Sequence, residues 1–291
     1  MDILNVTKED VKNVERLALH EGFTGEGIVI KNVCDDKDAF KIFYISNGLY
    51  FSNKLYTINA LYDLHGKLGD RFVLPSRLLS VDEKIVGFSM PLIKGVTLQE
   101  VLNDSDIDIN TKVKYLKEIG DILDEMKRLR EENESMNFFL NDLHDKNIMV
   151  DLDNGKLHVV DLDSCRINGN HPFLSKFLSS FGIIKNYPFK YHKADISCGG
   201  EFVADENSDL YCYAMIVLDF LAKIRVNSLD EKDYFGYLEY LKSIGAPTDL
   251  VDAWARVYST DDNINFKEFL DSLPYFYANA SVEKCLKRIK G

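Results

Sequence analysis

Several features that mark other classes of protein are scarce in this 291-residue sequence. Its five cysteines are scattered and include no Cys-x-x-Cys pair, which argues against a disulfide framework or a structural zinc site. No apolar run approaches the roughly 18 residues that indicate a membrane span. The first residues lack the basic start and apolar core of a signal peptide. We therefore expect a cytoplasmic protein with no membrane partner.

Positive charge is also in short supply. Lysine and arginine number 35 against 47 aspartates and glutamates, and the formal net charge is −12. Because such a field repels polyanions, we expect no nucleic-acid partner, although a local basic cleft for nucleotide phosphates remains compatible with it. The chain is long enough to bury a large core, as one bilobed domain or two modest ones.

One short segment carries three candidate catalytic residues. Asp142 lies five residues before Asn147, which lies fourteen residues before Asp161. An aspartate can accept a hydroxyl proton, and an asparagine and an aspartate can hold Mg²⁺, which together suit phosphoryl transfer. Asn154-Gly155 predicts a two-residue hairpin turn that brings Asn147 close to Asp161. The alternative is a surface hairpin whose acidic ends are incidental.

This segment resembles the catalytic loop and metal-binding aspartate of the protein-kinase-like superfamily. The resemblance implies an α+β, bilobal fold. A small antiparallel β-sheet lobe with one helix would span residues 1–92, and a larger, mainly α-helical lobe would span residues 93–291. It also implies ATP and Mg²⁺ as cofactors, with Asn147 and Asp161 holding the metal and Asp142 acting on the acceptor hydroxyl.

A glycine-rich stretch near the N-terminus fits the same family in part. Gly22, Gly27 and Val29 match the first glycine, third glycine and valine of the kinase pattern. Thr24 occupies the position of the middle glycine, and Gly25 lies one residue late. The resemblance implies that Gly22, Gly25, Gly27 and Val29 line the nucleotide site. A plain β-hairpin is the alternative.

Two further stretches extend the resemblance. Lys41 lies in an apolar strand twelve residues after Val29, and the resemblance implies that it holds the α- and β-phosphates. A lysine on the solvent face of a strand is the alternative. About fifty residues later, Met90 and Leu92 lie where the family presents backbone groups to adenine, unless this is an edge strand and loop. A capping box, Thr97 with Glu100, predicts a helix directly afterwards.

The sequence departs from the kinase pattern on the small-lobe helix, predicted at residues 51–65. This helix contains no glutamate, and Lys54 occupies the position of the glutamate that orients the strand lysine. Lys41 therefore needs another partner, for which we predict Asp63 or Asp161.

Other departures surround the catalytic aspartates. Leu140 and Asn141 replace the usual His-Arg pair, so we expect activity that does not depend on phosphorylation of the activation segment. Asp163 replaces the glycine of Asp-Phe-Gly. The stretch from Asn141 to His144 and this second acidic residue also resemble aminoglycoside and choline phosphotransferases.

The remaining sequence is mostly helical in pattern. We predict helices at residues 8–20, 111–130, 207–222, 230–241, 248–258, 265–273 and 281–290. Asn207 or Ser208 is expected to cap its helix, and the resemblance implies that Asp209 holds the backbone of the catalytic loop. Residues 164–204 show no clear pattern.

Three functions remain open. The first is a Ser/Thr protein kinase that uses ATP and Mg²⁺, the second a small-molecule phosphotransferase, and the third a pseudokinase that binds nucleotide without turnover. The expected partners are a nucleotide and a protein or small-molecule hydroxyl acceptor.

Overall fold

The computed structural model describes residues 1–9, 26–32, 35–133, 136–170, 206–256 and 270–290. It is a mixed α/β structure with one five-stranded sheet and several helices. The strands of this sheet are β1 (Ile3–Asn5), β2 (Gly27–Lys31), β3 (Asp38–Phe43), β4 (Arg77–Val81) and β5 (Lys84–Pro91).

The sheet order is β1-β4-β5-β3-β2. All neighbouring strands are antiparallel except β1, which runs parallel to β4. The prediction of a purely antiparallel sheet is therefore wrong in this respect. The sequence did not reveal β1 because a strand of three residues is too short to show alternation.

Strand β3 orients Lys41. Since side chains alternate along a strand, Lys41 faces the same side of the sheet as Ala39 and Phe43. The Phe43 ring packs edge-on against Phe51, with ring centroids 5.7 Å apart. Phe51 belongs to helix α1 (Gly48–Tyr62), so Lys41 points toward that helix.

Helix α1 begins and ends about three residues before the predicted bounds of 51–65. It ends early because the N–H groups of Leu64 and His65 donate to carbonyls three residues back, which tightens the chain into a turn. The buried face of α1 includes a cation, Lys54, beside Ile58 and Leu61.

The predicted β4–β5 hairpin is confirmed, with Asp82 and Glu83 at its turn. Both have left-handed backbones (φ 49° and 64°), as a type I′ turn requires. Strand β4 begins later than the predicted strand at residues 73–81, because the N–H of Val73 donates to Val159 O at 3.0 Å instead of to the sheet.

Two smaller sheets follow. Strands β6 (Gly95–Thr97), β8 (Ile148–Asp151) and β9 (Leu157–Val159) form one, and β7 (Phe138–Phe139) pairs with β10 (Arg166–Ile167) in the other. Gly95 is required here, since an added Cβ would lie 2.1 Å from Val150 O.

The β8–β9 hairpin is confirmed, but its two-residue turn is wrong. Gly155 has a left-handed backbone (φ 68°) and Asn154 does not. The loop comprises residues 152–156, and the Asp151 carboxylate accepts hydrogen bonds from Asp153 N and Asn154 Nδ2, both at 2.8 Å. These contacts favour a longer loop over a type I′ turn.

The helices after the first sheet are α2 (Leu98–Asn103), α3 (Ile109–Glu132), α4 (Glu206–Ala222), α5 (Glu231–Ser243), α6 (Thr248–Arg256), α7 (Leu273–Phe276) and α8 (Val282–Lys290). The capping box of Thr97 and Glu100 is confirmed at the start of α2. Asn207 and Ser208 lie inside α4, so neither is its N-cap. Most of each of the helices predicted at 8–20 and 265–273 lies outside the described residues, as does most of the stretch at 164–204 that shows no clear pattern.

The largest core cluster joins α3, α4 and α5 to the β8–β9 hairpin. It contains large buried side chains such as Trp254, Tyr213 and Tyr237. Among the helices that the structure describes, none combines the length and apolar character needed to cross a bilayer.

Candidate active site

Lys41 lies at the centre of a buried ionic cluster. Only 5% of the residue is exposed, and its ammonium contacts Asp161 Oδ1 and lies 2.5 Å from Asp163 Oδ1. Burial opposes its charge, but the two carboxylates outweigh burial and raise the pKa of Lys41 above its usual range. Asp161 is thus confirmed as a partner of Lys41. The alternative, Asp63, is wrong, because it lies exposed at the end of α1.

Lys54 is the second buried cation of this cluster. Its ammonium lies 3.1 Å from Asp163 Oδ2, donates to the Asp163 carbonyl at 2.9 Å and contacts the Glu26 carboxylate. The same balance of burial against nearby carboxylates raises the pKa of Lys54. We call Lys41, Lys54, Glu26, Asp161 and Asp163 the lysine cluster.

Asp163 is the shared partner of both lysines. Burial opposes its ionisation, but the ammonium groups of Lys41 and Lys54 hold the pKa of Asp163 well below its usual range. Its side chain is fully buried, whereas that of Asp161 is 35% exposed. Two aspartates so close in sequence therefore face different surroundings.

A backbone turn separates these two aspartates. Asp161 has a left-handed backbone (φ 62°, ψ 38°), and the 3₁₀ turn Leu162–Ser164 follows it. Such backbones are uncommon outside glycine, although aspartate adopts them more readily than most residues. Leu162 is buried in the main core and anchors the turn. Both carboxylates consequently reach Lys41.

The loop at residues 140–147, which follows β7, is held by α4. The N–H groups of Leu140 and Asn141 donate to the Asp209 carboxylate at 2.9 and 3.1 Å. The predicted role of Asp209 in holding this backbone is confirmed. Asn141 also has a left-handed backbone (φ 62°), and its Nδ2 donates to Ser164 O at 2.9 Å. It thereby ties the 140–147 loop to the turn after Asp161.

Asn147 joins the two ends of the site. Its Nδ2 donates to Asp142 O at 3.0 Å and to Asp142 Oδ2 at 3.3 Å, and its carbonyl accepts from Val160 N at 2.9 Å. The hairpin therefore brings Asn147 beside the residue that precedes Asp161, as predicted. Since the amide nitrogen of Asn147 is engaged, its amide oxygen is the atom suited to a cation.

Asp142 is accessible near the start of this loop. Its side chain is 40% exposed, and His144 Nε2 lies 3.8 Å from Asp142 Oδ1. A carboxylate in this position can meet a hydroxyl group that arrives from solvent.

An apolar wall adjoins the lysine cluster. Ala39, Met90, Met149 and Val160 are buried in one core cluster, with Val29 and Leu92 packed against it. The Leu92 N–H donates to Lys37 O at 2.7 Å, so this residue offers its side chain to the wall while its N–H is engaged within the chain. Apolar side chains of this kind commonly line small-molecule sites.

The glycine-rich stretch is placed only in part. Gly22 and Gly25 lie outside the described residues, while Gly27 and Val29 lie in β2. An added Cβ at Gly27 would lie 2.3 Å from Ile42 O, so the β2–β3 pairing by itself requires glycine there.

Arg225 is a residue of this region that the sequence did not reveal. It donates to Asp145 Oδ1 at 2.5 Å and to Asp219 Oδ2 at 2.9 Å, and it thereby joins the 140–147 loop to α4. Burial outweighs the neighbouring guanidinium and raises the pKa of Asp219 to about 6. The position of Arg225 just after α4 was the only signal in the sequence, and its pairing with Asp145 across 80 residues cannot be deduced from spacing.

Within the described ranges, no group of three or more His, Cys, Asp or Glu side chains is arranged to hold a metal ion. Asn147 and Asp161 offer two hard oxygen ligands, which is the number Mg²⁺ commonly takes from a protein when phosphates and water complete its shell.

No protein-family model matches this chain, and a search of curated proteins found no match.

Proposed function

We propose that this chain is an ATP- and Mg²⁺-dependent phosphotransferase with a protein-kinase-like bilobal fold. The observation that carries the proposal is the contact between Lys41 on strand β3 and Asp161 after strand β9, across 120 residues of sequence. Asp142 and Asn147 are in contact with each other beside it. The four residues proposed for phosphoryl transfer therefore converge on one region.

The fold supports the same proposal. The elements up to Pro91 are a β-sheet and helix α1, and those after it are mainly helices. In this proposal the first group would form a small nucleotide-binding lobe at residues 1–92, and the second a helical lobe at residues 93–291. The 140–147 loop would then lie at the boundary between the two lobes.

The donor set suits a nucleotide with its metal. Asn147 and Asp161 would hold Mg²⁺, Lys41 would hold the α- and β-phosphates, and Val29 and Met90 would line the adenine ring. When bound, Mg²⁺ neutralises charge on the phosphates. Asp142 would orient the acceptor hydroxyl and take its proton. Lys41 remains charged among its carboxylates, as this role requires.

The pseudokinase alternative depends on the missing helix glutamate. In this chain Lys41 has two carboxylate partners without that glutamate, which favours an active site. A serine or threonine hydroxyl on a protein is our first choice of acceptor, and a small-molecule hydroxyl is the second.

Nucleotide-dependent melting followed by turnover of γ-labelled ATP tests this function. We expect ATP with Mg²⁺ to raise the melting temperature, and label to reach either a generic protein substrate or a panel of small amino-alcohols and aminoglycosides. Asp142→Asn and Asp161→Asn should abolish transfer, while Asp153→Asn, an exposed hairpin residue, should leave it unchanged. The enzymatic function would be refuted if the wild-type protein transferred no label to a protein, to a small molecule, to itself or to water.

A further inference from the structure

Asp163 occupies the space between the two buried lysines. Its Oδ1 lies 2.5 Å from Lys41 Nζ, and its Oδ2 lies 3.1 Å from Lys54 Nζ. Each carboxylate oxygen thus takes one ammonium group. The side chain is fully buried, so both contacts are shielded from water.

We propose that Asp163 is the positioning residue for Lys41, with Lys54 as the counter-charge that keeps Asp163 in place. This inference rests on the proposed function, in which Lys41 holds the nucleotide phosphates. A carboxylate two residues after the metal-binding aspartate would then do the work that a glutamate on helix α1 would otherwise do.

The different exposure of the two aspartates supports this division of roles. Asp161 is 35% exposed and can turn toward a cation, whereas Asp163 has both oxygens engaged inside the protein. If Lys41 gave up Asp161 to a metal ion, it would keep Asp163. Its ammonium would therefore stay fixed when nucleotide and metal enter.

The charges of the cluster explain why Lys54 is a cation. A carboxylate at position 54 would face Asp163 and Glu26 in a buried space, which would be strongly unfavourable. Lys54 instead pairs with both and also contacts Ser164 Oγ at 3.2 Å. Helix α1 is thus joined to Glu26, the residue before strand β2, and to the turn after Asp161, and it acts on Lys41 through Asp163.

A relocation of the carboxylate provides the sharpest test. The cluster has two positive and three negative side chains, for a net charge of −1. The triple variant Glu26→Gln, Lys54→Glu, Asp163→Gly keeps Lys41 and Asp161, adds one carboxylate at position 54 and also sums to −1. It places the partner of Lys41 on helix α1 with an unchanged total charge.

Affinity for ATP with Mg²⁺, measured by calorimetry, is the readout. We expect Asp163→Asn and Asp163→Gly each to weaken binding at least tenfold, and the triple variant to recover to within about threefold of wild type. The acceptor KM of Asp163→Asn should stay near the wild-type value, because Asp163 does not face the acceptor. Melting curves without nucleotide identify variants that fail to fold.

The result that overturns the inference is an Asp163→Asn variant that binds nucleotide within twofold of wild type, or a folded triple variant that binds no better than Asp163→Gly. If wild type itself does not bind ATP, the proposed function fails and this inference fails with it. If the variants do not fold, a structure of the wild-type protein with an ATP analogue and Mg²⁺ tests the inference instead. Lys41 should keep its contact with Asp163 in that structure. Coordination of the metal ion by Asp163 would contradict its role as the positioning residue for Lys41.

Discussion

On one side of the candidate site, the backbone of the 140–147 loop is held by hydrogen bonds to Asp209. On the other side, the lysine cluster is held by buried ion pairs among side chains from separate parts of the chain. At residues 140 and 141, the loop depends on one carboxylate that satisfies two backbone donors. The cluster depends on a balance of charge, because removal of Lys54 or Asp163 would leave an opposite charge without its partner in a mostly buried place.

This difference predicts unequal responses to substitution. Removal of a charge from the lysine cluster should affect the members that it contacts, whereas removal of Asp209 should affect the backbone of the loop.

The largest loss of stability is expected at Lys54. Lys54→Ala leaves Glu26 without its cation and Asp163 with only one, and it should lower the free energy of unfolding by about 4 kcal/mol. Urea denaturation measures this value. The matched control is Lys114→Ala, which removes a surface pair with Glu118 and should cost no more than about 0.5 kcal/mol. Equal effects at the two lysines would show that burial does not strengthen the cluster.

Asp209 should have the next largest effect. Asp209→Ala leaves the N–H groups of Leu140 and Asn141 unpaired in a buried place, which should cost about 3 kcal/mol in urea denaturation. Asp209→Asn keeps one acceptor oxygen and should lose about half as much. A full loss in the Asn variant would mean that the charge of Asp209, rather than its hydrogen bonds, holds the loop.

Asp219 provides a dependence on pH on the loop side. Its pKa is raised from 3.8 to about 6, so the native state keeps a proton that the unfolded chain has already released. Stability should therefore fall as pH rises from about 4 to about 6, by on the order of 2 kcal/mol relative to Asp219→Asn. Chemical denaturation of both proteins across this range checks the slope. If the free energy of unfolding of the two proteins changed in parallel with pH, Asp219 would not be the source of the slope.

Local patterns in the sequence predicted one side of the site better than the other. The contact of Asp209 with the loop spans 69 residues, and it was predicted only from the resemblance to the protein-kinase-like superfamily. The β8–β9 hairpin and the capping box at Thr97 were predicted from local patterns, and the structure confirms them. These features depend on short spacings or on a motif with a known local geometry. A residue's neighbours in sequence are enough to specify them.

The roles of Lys54, Asp163 and Arg225 needed the tertiary structure. Asp163 lies 122 residues from Lys41 and 109 from Lys54, so no periodicity brings these side chains together. The sequence showed that Lys54 breaks the kinase pattern. It did not show that Asp163 compensates, because the compensation depends on the left-handed turn at Asp161.

The most direct test of the central claim is the affinity of the wild-type protein for ATP, measured by calorimetry with and without Mg²⁺. We predict binding that requires Mg²⁺, and a loss of that requirement together with most of the affinity in Asp161→Asn. Asp153→Asn should bind like wild type. Absence of binding in the wild-type protein, or binding that Asp161→Asn leaves intact, would contradict the assignment of Asp161 and Asn147 as the site of metal and nucleotide.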